Sequence, residues 1–389
     1  MPSRDQESDD FHAAVMSAPY FAELNNPTPP AKTYPIKTAL KSIIQKVAPG
    51  LLKKKETRHA RDDAPAYERA KIVKGDCRDQ SSSFYTIYST WDPQSIVDET
   101  VFRVLNELKV AGFRTVLVST SESMSQTDVE RLQPICEAVI SRENVGHDFY
   151  SYKAGIEYLK SLGHLDQAAG LLIMNDSLTG PLGTFSILLA RLKTASNGLW
   201  GLNDSHQKGH HLQSCFVYFP SALIASETFR EFWSQVESTL PKQEVINRYE
   251  VGLSQRFTDE GIELKPLFKT DVLIEAAQKI LSQRHSPEIV AAILNRDAVN
   301  PTLLFWSILV ERFNFPFVKR AVFLEPAWNP QSGRSVFDFL EGRDLHRRDE
   351  VVTVMKAYIE RVRPIFGNTT TTNATQSVDF HHERRRHPG

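Results

Sequence analysis

F-Y-T-I-Y-S at residues 84–89 and T-V-L-V-S at residues 115–119 are short apolar stretches, rich in β-branched residues, with the pattern of buried strands. A helical face lies between them at residues 96–111. A second helical pattern near residues 127–138 leads into A-V-I-S at residues 138–141. This alternation predicts a parallel, doubly wound sheet. Such sheets bind ligands at the carboxyl ends of their strands, so we expect functional residues just after each strand.

The pattern of strands and helices continues along the chain. The further predicted elements are a strand at residues 170–174, a helix at 185–193, strands at 199–202 and 215–219, and, within a largely helical remainder, strands near 263–268 and 317–324. We therefore predict an α/β domain over residues 67–270 and a helical C-terminal lobe over residues 271–366.

Composition excludes several classes of protein. The 389 residues carry 46 Lys and Arg against 47 Asp and Glu, a balance that argues against a dedicated nucleic-acid binder. Three cysteines without C-x-x-C spacing exclude a disulfide scaffold and a four-cysteine zinc site. The acidic N-terminus resembles no secretory signal, and the apolar runs are too short to span a bilayer. We expect a cytoplasmic protein.

The two ends of the chain differ from the middle. Residues 1–66 are predicted to be mostly disordered, with a lysine-rich amphipathic helix near residues 36–52, and residues 367–389 are predicted to be a disordered tail. A basic amphipathic segment such as residues 36–55 suits peripheral contact with the inner face of the plasma membrane. The alternatives are that it packs on the main domain or forms a partly ordered tail.

Two polar loops follow predicted strands. Asn144, Gly146, His147 and Asp148 open a helix, where glycine permits close backbone approach and the helix N-terminus favours an anion such as a nucleotide diphosphate. The alternative is that Asn144 and Asp148 only cap the helix.

The second loop reads N-D-S, Asn175 to Ser177, directly after an apolar strand. Desolvation of the Asp176 carboxylate costs free energy unless it meets a metal ion or hydrogen-bond donors. The alternative is an ordinary turn, since these are all turn residues.

The motifs together resemble a known family, that of rhamnan synthesis protein F. They are, in family order, R-E-N-V-G-H-D-F, L-L-I-M-N-D-S-L-T-G-P-L, W-G-L, H-L-Q-S-C-F-V-Y-F, R-Y-E-V-G-L-S, N-P-T-L-L-F-W and F-P-F-V-K-R. The resemblance spans residues 84–324 approximately. It implies a GT-A-like fold, a doubly wound mixed sheet with helices on both faces, and an inverting glycosyltransferase of polysaccharide biosynthesis. The implied reaction transfers a sugar onto a growing glycan or lipid-linked acceptor. The resemblance implies rhamnose, with dTDP-rhamnose as the donor, as the first candidate.

The resemblance also implies roles for individual residues. The two loops would bind the nucleotide sugar through Asn144, Gly146, His147, Asp148, Asn175, Asp176 and Ser177. Asp176 would hold Mg²⁺ or Mn²⁺ against the diphosphate, although a single carboxylate binds such an ion weakly. The glycine motif reads G-H-D where G-R-D is expected, and histidine is a cation only when protonated. Lys153 or Arg142 would then have to supply the fixed positive charge.

An inverting transfer also needs a general base. Glu250, near a helix start in R-Y-E-V-G-L-S, is the first candidate, and Asp204, which follows W-G-L-N, is the second. The alternative for Glu250 is a favourable charge at a helix N-terminus without catalysis.

Acceptor contacts are predicted around the H-H-L-Q-S segment. Gln213 and Ser214 would bind sugar hydroxyls, and His211 and Trp200 are further candidates. Adjacent histidines such as His210 and His211 point to opposite faces of an extended chain, so both cannot easily bind one ion.

An alternative from another class of function is a non-catalytic subunit that scaffolds a polysaccharide-assembly complex. A different nucleotide enzyme has less support, because no G-x-x-x-x-G-K-[ST] or G-x-G-x-x-G loop occurs.

Overall fold

The computed structural model describes residues 65–76, 81–183, 185–283, 286–297, 299–324, 336–342, 345 and 348–366. The predicted disordered N-terminal segment, with its basic helix and membrane contact, lies outside these residues apart from residues 65 and 66. The predicted tail at residues 367–389 also lies outside them.

Most of the strands within the described residues lie at the predicted positions. They are β1 (Lys71–Lys74), β2 (Phe84–Thr90), β3 (Phe113–Ser119), β4 (Ala138–Ser141), β5 (Gly170–Asn175), β6 (Leu178–Thr179), β7 (Leu199–Ser205), β8 (His211–Leu212), β9 (Phe216–Pro220), β10 (Leu264–Phe268) and β11 (Val318–Lys319). The strands β1, β6 and β8 were not predicted: the four residues of β1, K-I-V-K, have few apolar side chains, and β6 and β8 have only two residues each.

The main sheet has the order β1-β4-β3-β2-β5-β9-β7-β10, and β8 pairs with β7. The strands β4, β3, β2 and β5 are parallel, β9 is antiparallel to both β5 and β7, and β10 is parallel to β7. The sheet is therefore mixed, and β2, β5, β7 and β10 all end at the same edge. The chain moves outward from β2 to β4 and then returns to β5 on the other side of β2. Strand order thus reverses between β2 and β5, which is where doubly wound sheets bind ligands.

Helices connect and cover these strands. They are α1 (Glu99–Val110), α2 (Gln126–Leu132), α3 (His147–Ser161), α4 (Phe185–Lys193), α5 (Ser221–Ile224), α6 (Glu227–Ser234), α7 (Lys242–Val245), α8 (Gly252–Asp259), α9 (Thr270–Leu281), α10 (Pro287–Ile293), α11 (Pro301–Leu304), α12 (Trp306–Phe313), α13 (Arg320–Leu324), α14 (Val336–Glu341) and α15 (Arg348–Phe366). A 3₁₀ turn forms at Leu165–Gln167, and a π-helical turn at Ile246–Val251 joins α7 to α8. None of the helices in the described part of the chain has both the length and the apolar character that a membrane span needs.

Each face of the sheet buries its own hydrophobic cluster. Side chains alternate along a strand, so Tyr88 of β2 packs with α1, α4 and the C-terminal helices, while Ile87 packs with α3, α6 and α8. Helices therefore cover both faces, as predicted. The helices beyond residue 270 share the first cluster with the sheet, so this helical region packs directly against the strands.

Two of the predicted strands have a different extent in the structure. The strand β7 continues through Asp204 instead of ending at Leu202, because β8 pairs with its polar end. The stretch near residues 317–324 is a two-residue strand followed by α13. The amide of Arg320 donates to the carbonyl of Ser177, and from that residue the chain turns into the helix.

Candidate functional site

Asp176 follows β5 at the point where strand order reverses. Its Oδ2 accepts hydrogen bonds from the Thr90 hydroxyl at 2.9 Å and the Trp91 amide at 3.1 Å, both at the end of β2. The Arg320 guanidinium lies 3.3 Å from the same oxygen. Its Oδ1 has no hydrogen-bond donor among the residues that the structure describes. One oxygen of this carboxylate is therefore fixed by the fold, and the other is available to a ligand.

Asp148 lies beside this carboxylate and not in a helix cap. Ser89 donates to its Oδ1 at 2.9 Å, and the Asn175 amide donates to its Oδ2 at 3.1 Å. The Oδ1 of Asn175 in turn accepts from both the amide and the hydroxyl of Ser177. The N-cap position belongs to Gly146, which makes no side-chain cap, so the alternative of simple capping does not hold for Asp148. The N-D-S loop is a turn whose asparagine orients the second acid.

Asp148 and Asp176 form an electrostatically coupled pair of carboxylates. Burial raises the pKa of each, and the charge of Asp148 raises the pKa of Asp176 further. Asp148 is nevertheless exposed, so solvent and ligands can reach the pair. Hard oxygen ligands with excess negative charge fit Mg²⁺ or Mn²⁺. The structure thus brings a second carboxylate to Asp176, which the sequence analysis treated as a lone acid.

Arg320 is a buried cation at this edge and pairs with Asp176. Its guanidinium bridges Asp98 at 2.8 Å and Asp176 at 3.3 Å, and Asp98 also pairs with Arg361 at 2.6 Å. Burial alone would lower the pKa of Arg320, but the two carboxylates outweigh it and raise the pKa. Sequence reasoning missed this residue, although it closes the quoted motif F-P-F-V-K-R.

The two predicted sources of fixed charge are engaged elsewhere. Arg142 is buried and donates to carbonyl oxygens of the 143–147 loop. Burial lowers its pKa to about 10. Lys153 donates to the carbonyls of Ser234 and Val236. Both side chains stabilise the backbone around α3, and the structure does not direct either at a diphosphate.

The glycine motif also has a structural explanation. Gly146 has a φ of 71°, and a Cβ there would lie 2.5 Å from Cβ of Tyr150 and 2.8 Å from Cα of Ser238. Glycine is therefore required by packing. Burial, then the charges of Lys242 and Arg142, lower the pKa of His147 and so disfavour its cationic form. Asn144 is exposed beside it.

Two other lysines supply positive charge near the pair. Lys242 is exposed at the start of α7 and lowers the pKa of Asp148. Lys319 of β11 lies 3.5 Å from the Thr302 hydroxyl. Burial raises the pKa of Cys215 to about 11, while Lys319 lowers it and Glu250 and Asp148 raise it. Lys319, Glu250 and Asp148 therefore all lie close enough to this thiol to shift its pKa.

Glu250 lies next to the Ser214–Cys215 segment. It lies in the π-helical turn, half-buried, and its Oε1 is 3.4 Å from the amide of Ser214. The Ser214 carbonyl accepts from the Tyr152 hydroxyl at 3.1 Å. Glu250 and Asp148 both act on the pKa of Cys215, the residue that follows Ser214. The structure thus brings Glu250 and Ser214 close to the carboxylate pair.

Asp204 is held differently at the end of β7. Its Oδ1 accepts from the Thr270 amide at 2.7 Å, and its Oδ2 lies 2.9 Å from Nε2 of His210. Burial raises its pKa, but these hydrogen bonds outweigh it and the net pKa is lowered. A carboxylate stabilised in its ionised form is a poor general base, which disfavours the second candidate.

Three of the four predicted acceptor contacts, His211, Gln213 and Trp200, are engaged in hydrogen bonds within the fold. The Gln213 amide is buried and bonds to Asn203, Asn300 and Thr302, which uses its hydrogen-bonding capacity to join the sheet to α11. His211 is buried, with Nδ1 2.8 Å from the Gly209 carbonyl. These two therefore support the loop that carries Ser214.

Trp200 lies at the wrong end of its strand for acceptor binding. It is near the start of β7, four residues before Asp204, or about 13 Å along the strand. Its Nε1 donates to the Asn197 carbonyl at 2.8 Å, and Lys265 and Arg191 lie over its ring. The structure does not bring Trp200 to the other candidate residues.

The sequence of this region is similar to one described family. Residues 115–302 match the family model of rhamnan synthesis protein F. The match confirms the resemblance predicted from the motifs over these residues, which include β3 to β10 and the loops of Asp148, Asp176 and Glu250.

Two bacterial proteins are similar to the chain. The uncharacterized protein y4gN of Sinorhizobium fredii (strain NBRC 101917 / NGR234) is 27% identical over 203 residues, 51% of this chain and 52% of y4gN. Virulence protein VirA of Vibrio anguillarum (strain ATCC 68554 / 775) is 28% identical over 221 residues, 54% of this chain and 70% of VirA. The chain thus spans about half the length of y4gN.

Among solved structures, the apo structure of the bifunctional glycosyltransferase WbbM is similar with a TM-score of 0.35 and 10% sequence identity, over 72% of this chain and 52% of that one. The architecture described above rests on the strand pairing and not on this similarity.

Proposed function

We propose that residues 115–302, which match the family model of rhamnan synthesis protein F, form the catalytic part of an inverting glycosyltransferase. It would move a sugar, with rhamnose as the first candidate, from a nucleotide-diphosphate donor to a cell-surface polysaccharide or lipid-linked glycan. The observation that carries the proposal is the coupled pair Asp148 and Asp176 at the switch point, with Glu250 on the other side of Cys215. Acids in two distinct environments suit two separate roles.

The donor side would be formed by the carboxylate pair. Asp148 and Asp176 would hold Mg²⁺ or Mn²⁺, which when bound supplies positive charge to the departing diphosphate. Asp176 offers its free Oδ1, while Arg320 and Thr90 keep its Oδ2 in place. Lys319 and Lys242 add positive charge near the pair and favour an anionic ligand there.

Glu250 is the proposed base. A general base must come within hydrogen-bond reach of the acceptor hydroxyl and accept its proton as the glycosidic bond forms. Glu250 is half-buried and close to the Ser214 amide, a contact that orients the carboxylate towards the start of β9. The Ser214 hydroxyl would then assist in placing the acceptor.

One observation favours the alternative of a non-catalytic subunit. Arg320 already neutralises one oxygen of Asp176, an arrangement that also suits a purely structural ion pair. A binding subunit would hold its partner without turnover, so donor binding and transfer must be measured separately.

The test uses the full chain with dTDP-, UDP- and GDP-sugars, each with and without Mn²⁺, in titration calorimetry and in a transfer assay. We expect one donor class to bind, Asp148→Asn to abolish the Mn²⁺-dependent part of that binding, and Glu250→Gln to retain binding while losing about 10²- to 10⁴-fold in turnover. Asp166→Asn, an exposed aspartate at the opposite edge of the sheet, is the matched control and should change neither.

Donor binding that survives Asp148→Asn unchanged would contradict the donor site. Full turnover in Glu250→Gln would contradict the role of Glu250 as the general base. Binding of a donor without any transfer, with several acceptors supplied, would support the scaffolding subunit.

A further inference from the structure

A second group of possible ligands lies at the end of β7, apart from the carboxylate pair. One ligand atom from each of Asp204, His206 and His210 lies within 4.8 Å of the other two. The two imidazole rings are parallel, with an angle of 8° and a centroid separation of 4.5 Å. Their Nε2 atoms lie 3.8 Å and 2.9 Å from the same oxygen, Oδ2 of Asp204.

The fold fixes the carboxylate of this group. The Thr270 amide donates to Oδ1 of Asp204 at 2.7 Å, and the Thr270 hydroxyl donates to the Asp204 carbonyl at 2.8 Å. Hydrogen bonds of this kind orient metal ligands and are typical of the surroundings of metal sites. Asp204 and His206 are buried, while the His210 side chain is 45% exposed, so solvent reaches the group from one side.

We propose that Asp204, His206 and His210 bind a divalent transition-metal ion. Imidazole nitrogen with one carboxylate oxygen suits Zn²⁺ and its neighbours in the first transition row better than Mg²⁺, which prefers oxygen alone. Three protein ligands leave a fourth position of a tetrahedral zinc ion open to water or to an exogenous ligand. Asp204 is then a ligand, which excludes it as a general base.

This ion is distinct from any ion at Asp148 and Asp176. The strand β9 separates β7 from β5, which places the ends of β7 and β5 about 10 Å apart. A single ion cannot contact ligands across that distance. The sequence analysis compared the adjacent pair His210 and His211, whereas the fold pairs His210 with His206, four residues earlier.

Arg296 competes for one ligand. Its Nη2 lies 2.9 Å from Nε2 of His206, and its Nε pairs with Asp271 at 3.2 Å. The arginine side chain is 50% exposed, so it can turn towards solvent when an ion replaces it. Removal of this side chain should therefore strengthen metal binding, the opposite of the effect of removing a ligand.

The experiment is a Co²⁺ titration of the full chain, followed by visible absorption, with Zn²⁺ affinity from competition with a chromophoric chelator. The parent protein of this titration carries His381→Ala and His382→Ala, because the adjacent histidines near the C-terminus could bind metal themselves. Every variant is made in this parent. We expect one Co²⁺ per chain. His206→Asn and His210→Ala should each weaken binding at least tenfold, and Arg296→Met should tighten it.

His164→Asn, far from β7 in sequence and half-buried, is the control and should bind as the parent does. Circular dichroism verifies that each variant is folded. The proposal is overturned if the parent binds no Co²⁺, if His210→Ala binds as tightly as the parent, or if Arg296→Met weakens binding. None of these results depends on a nucleotide sugar, so the outcome is independent of the proposed transferase activity.

Discussion

Two aspartates at one edge of the sheet have pKa values that are shifted in opposite directions. Asp176 follows β5 and Asp204 ends β7, and their side chains are 16% and 7% exposed. Burial raises the pKa of Asp176, and the opposing charge of Arg320, which is shared with Asp98, does not cancel this effect. Burial acts on Asp204 as well, yet hydrogen bonds from His210 and Thr270 produce a lowered pKa. The hydrogen-bond donors and cations around a buried acid therefore decide the direction in which its pKa shifts.

The largest expected effect comes from removing the cation on the Asp176 side. Arg320→Met should leave Asp98 and Asp176 without their shared partner and cost about 3–5 kcal/mol in the free energy of unfolding. Urea denaturation followed by circular dichroism measures it. Arg248→Met breaks an exposed pair with Glu244 and should cost only about 0.3–0.5 kcal/mol. If Arg320→Met costs no more than this control, the ion pair does not hold the site together.

The sequence predicted the sheet well because its strands are apolar on both faces. β4 and α4 occur at the predicted residues, and the alternation of strand and helix was sufficient for the doubly wound arrangement. The polar end of β7 was missed, because hydrophobicity stops at Leu202 while pairing with β8 continues. The edge strand β1 was missed for a similar reason, since only two of its residues are apolar.

The site was predictable only as far as it lies in local motifs. Asp176 and Asp148 follow strands and were identified from that position. Arg320 lies 144 residues from Asp176 in sequence, and no local pattern connects them. Gln213 was singled out as a polar residue near a strand. Its partners are Asn300, which precedes α11, and Thr302 within that helix. Only the fold therefore reveals that its side-chain amide already has hydrogen-bond partners.

A smaller effect should separate the two aspartates by pH. The folded pKa of Asp204 is depressed, so its carboxylate stabilises the fold above the unfolded pKa of about 3.9, and that stability is lost as pH falls through the folded pKa. Asp204→Asn should therefore cost about 1.5–3 kcal/mol at pH 7 and less below pH of about 4. Urea denaturation across this pH range measures the difference.

Asp176→Asn should show the opposite slope. The folded pKa of Asp176 is raised, so the wild type binds more protons when folded and loses stability relative to this variant as pH rises through the unfolded and then the folded pKa. If the stability difference between wild type and variant depends on pH in the same way for Asp204→Asn and Asp176→Asn, the two carboxylates are in equivalent environments. The contrast between them would then be wrong.

The smallest expected effect is at the far end of β7. Trp200→Phe keeps an aromatic ring under Lys265 and Arg191 but loses the hydrogen bond to the Asn197 carbonyl, so it should cost about 1 kcal/mol in stability. Because Trp200 lies about 13 Å along the strand from Asp204, donor binding and transfer should be unchanged. Calorimetry and the transfer assay test this beside Ser214→Ala, which removes the hydroxyl proposed to place the acceptor and keeps the amide contact with Glu250. A tenfold rise in the KM for acceptor in Trp200→Phe, with none in Ser214→Ala, would move the acceptor site to the opposite edge of the sheet.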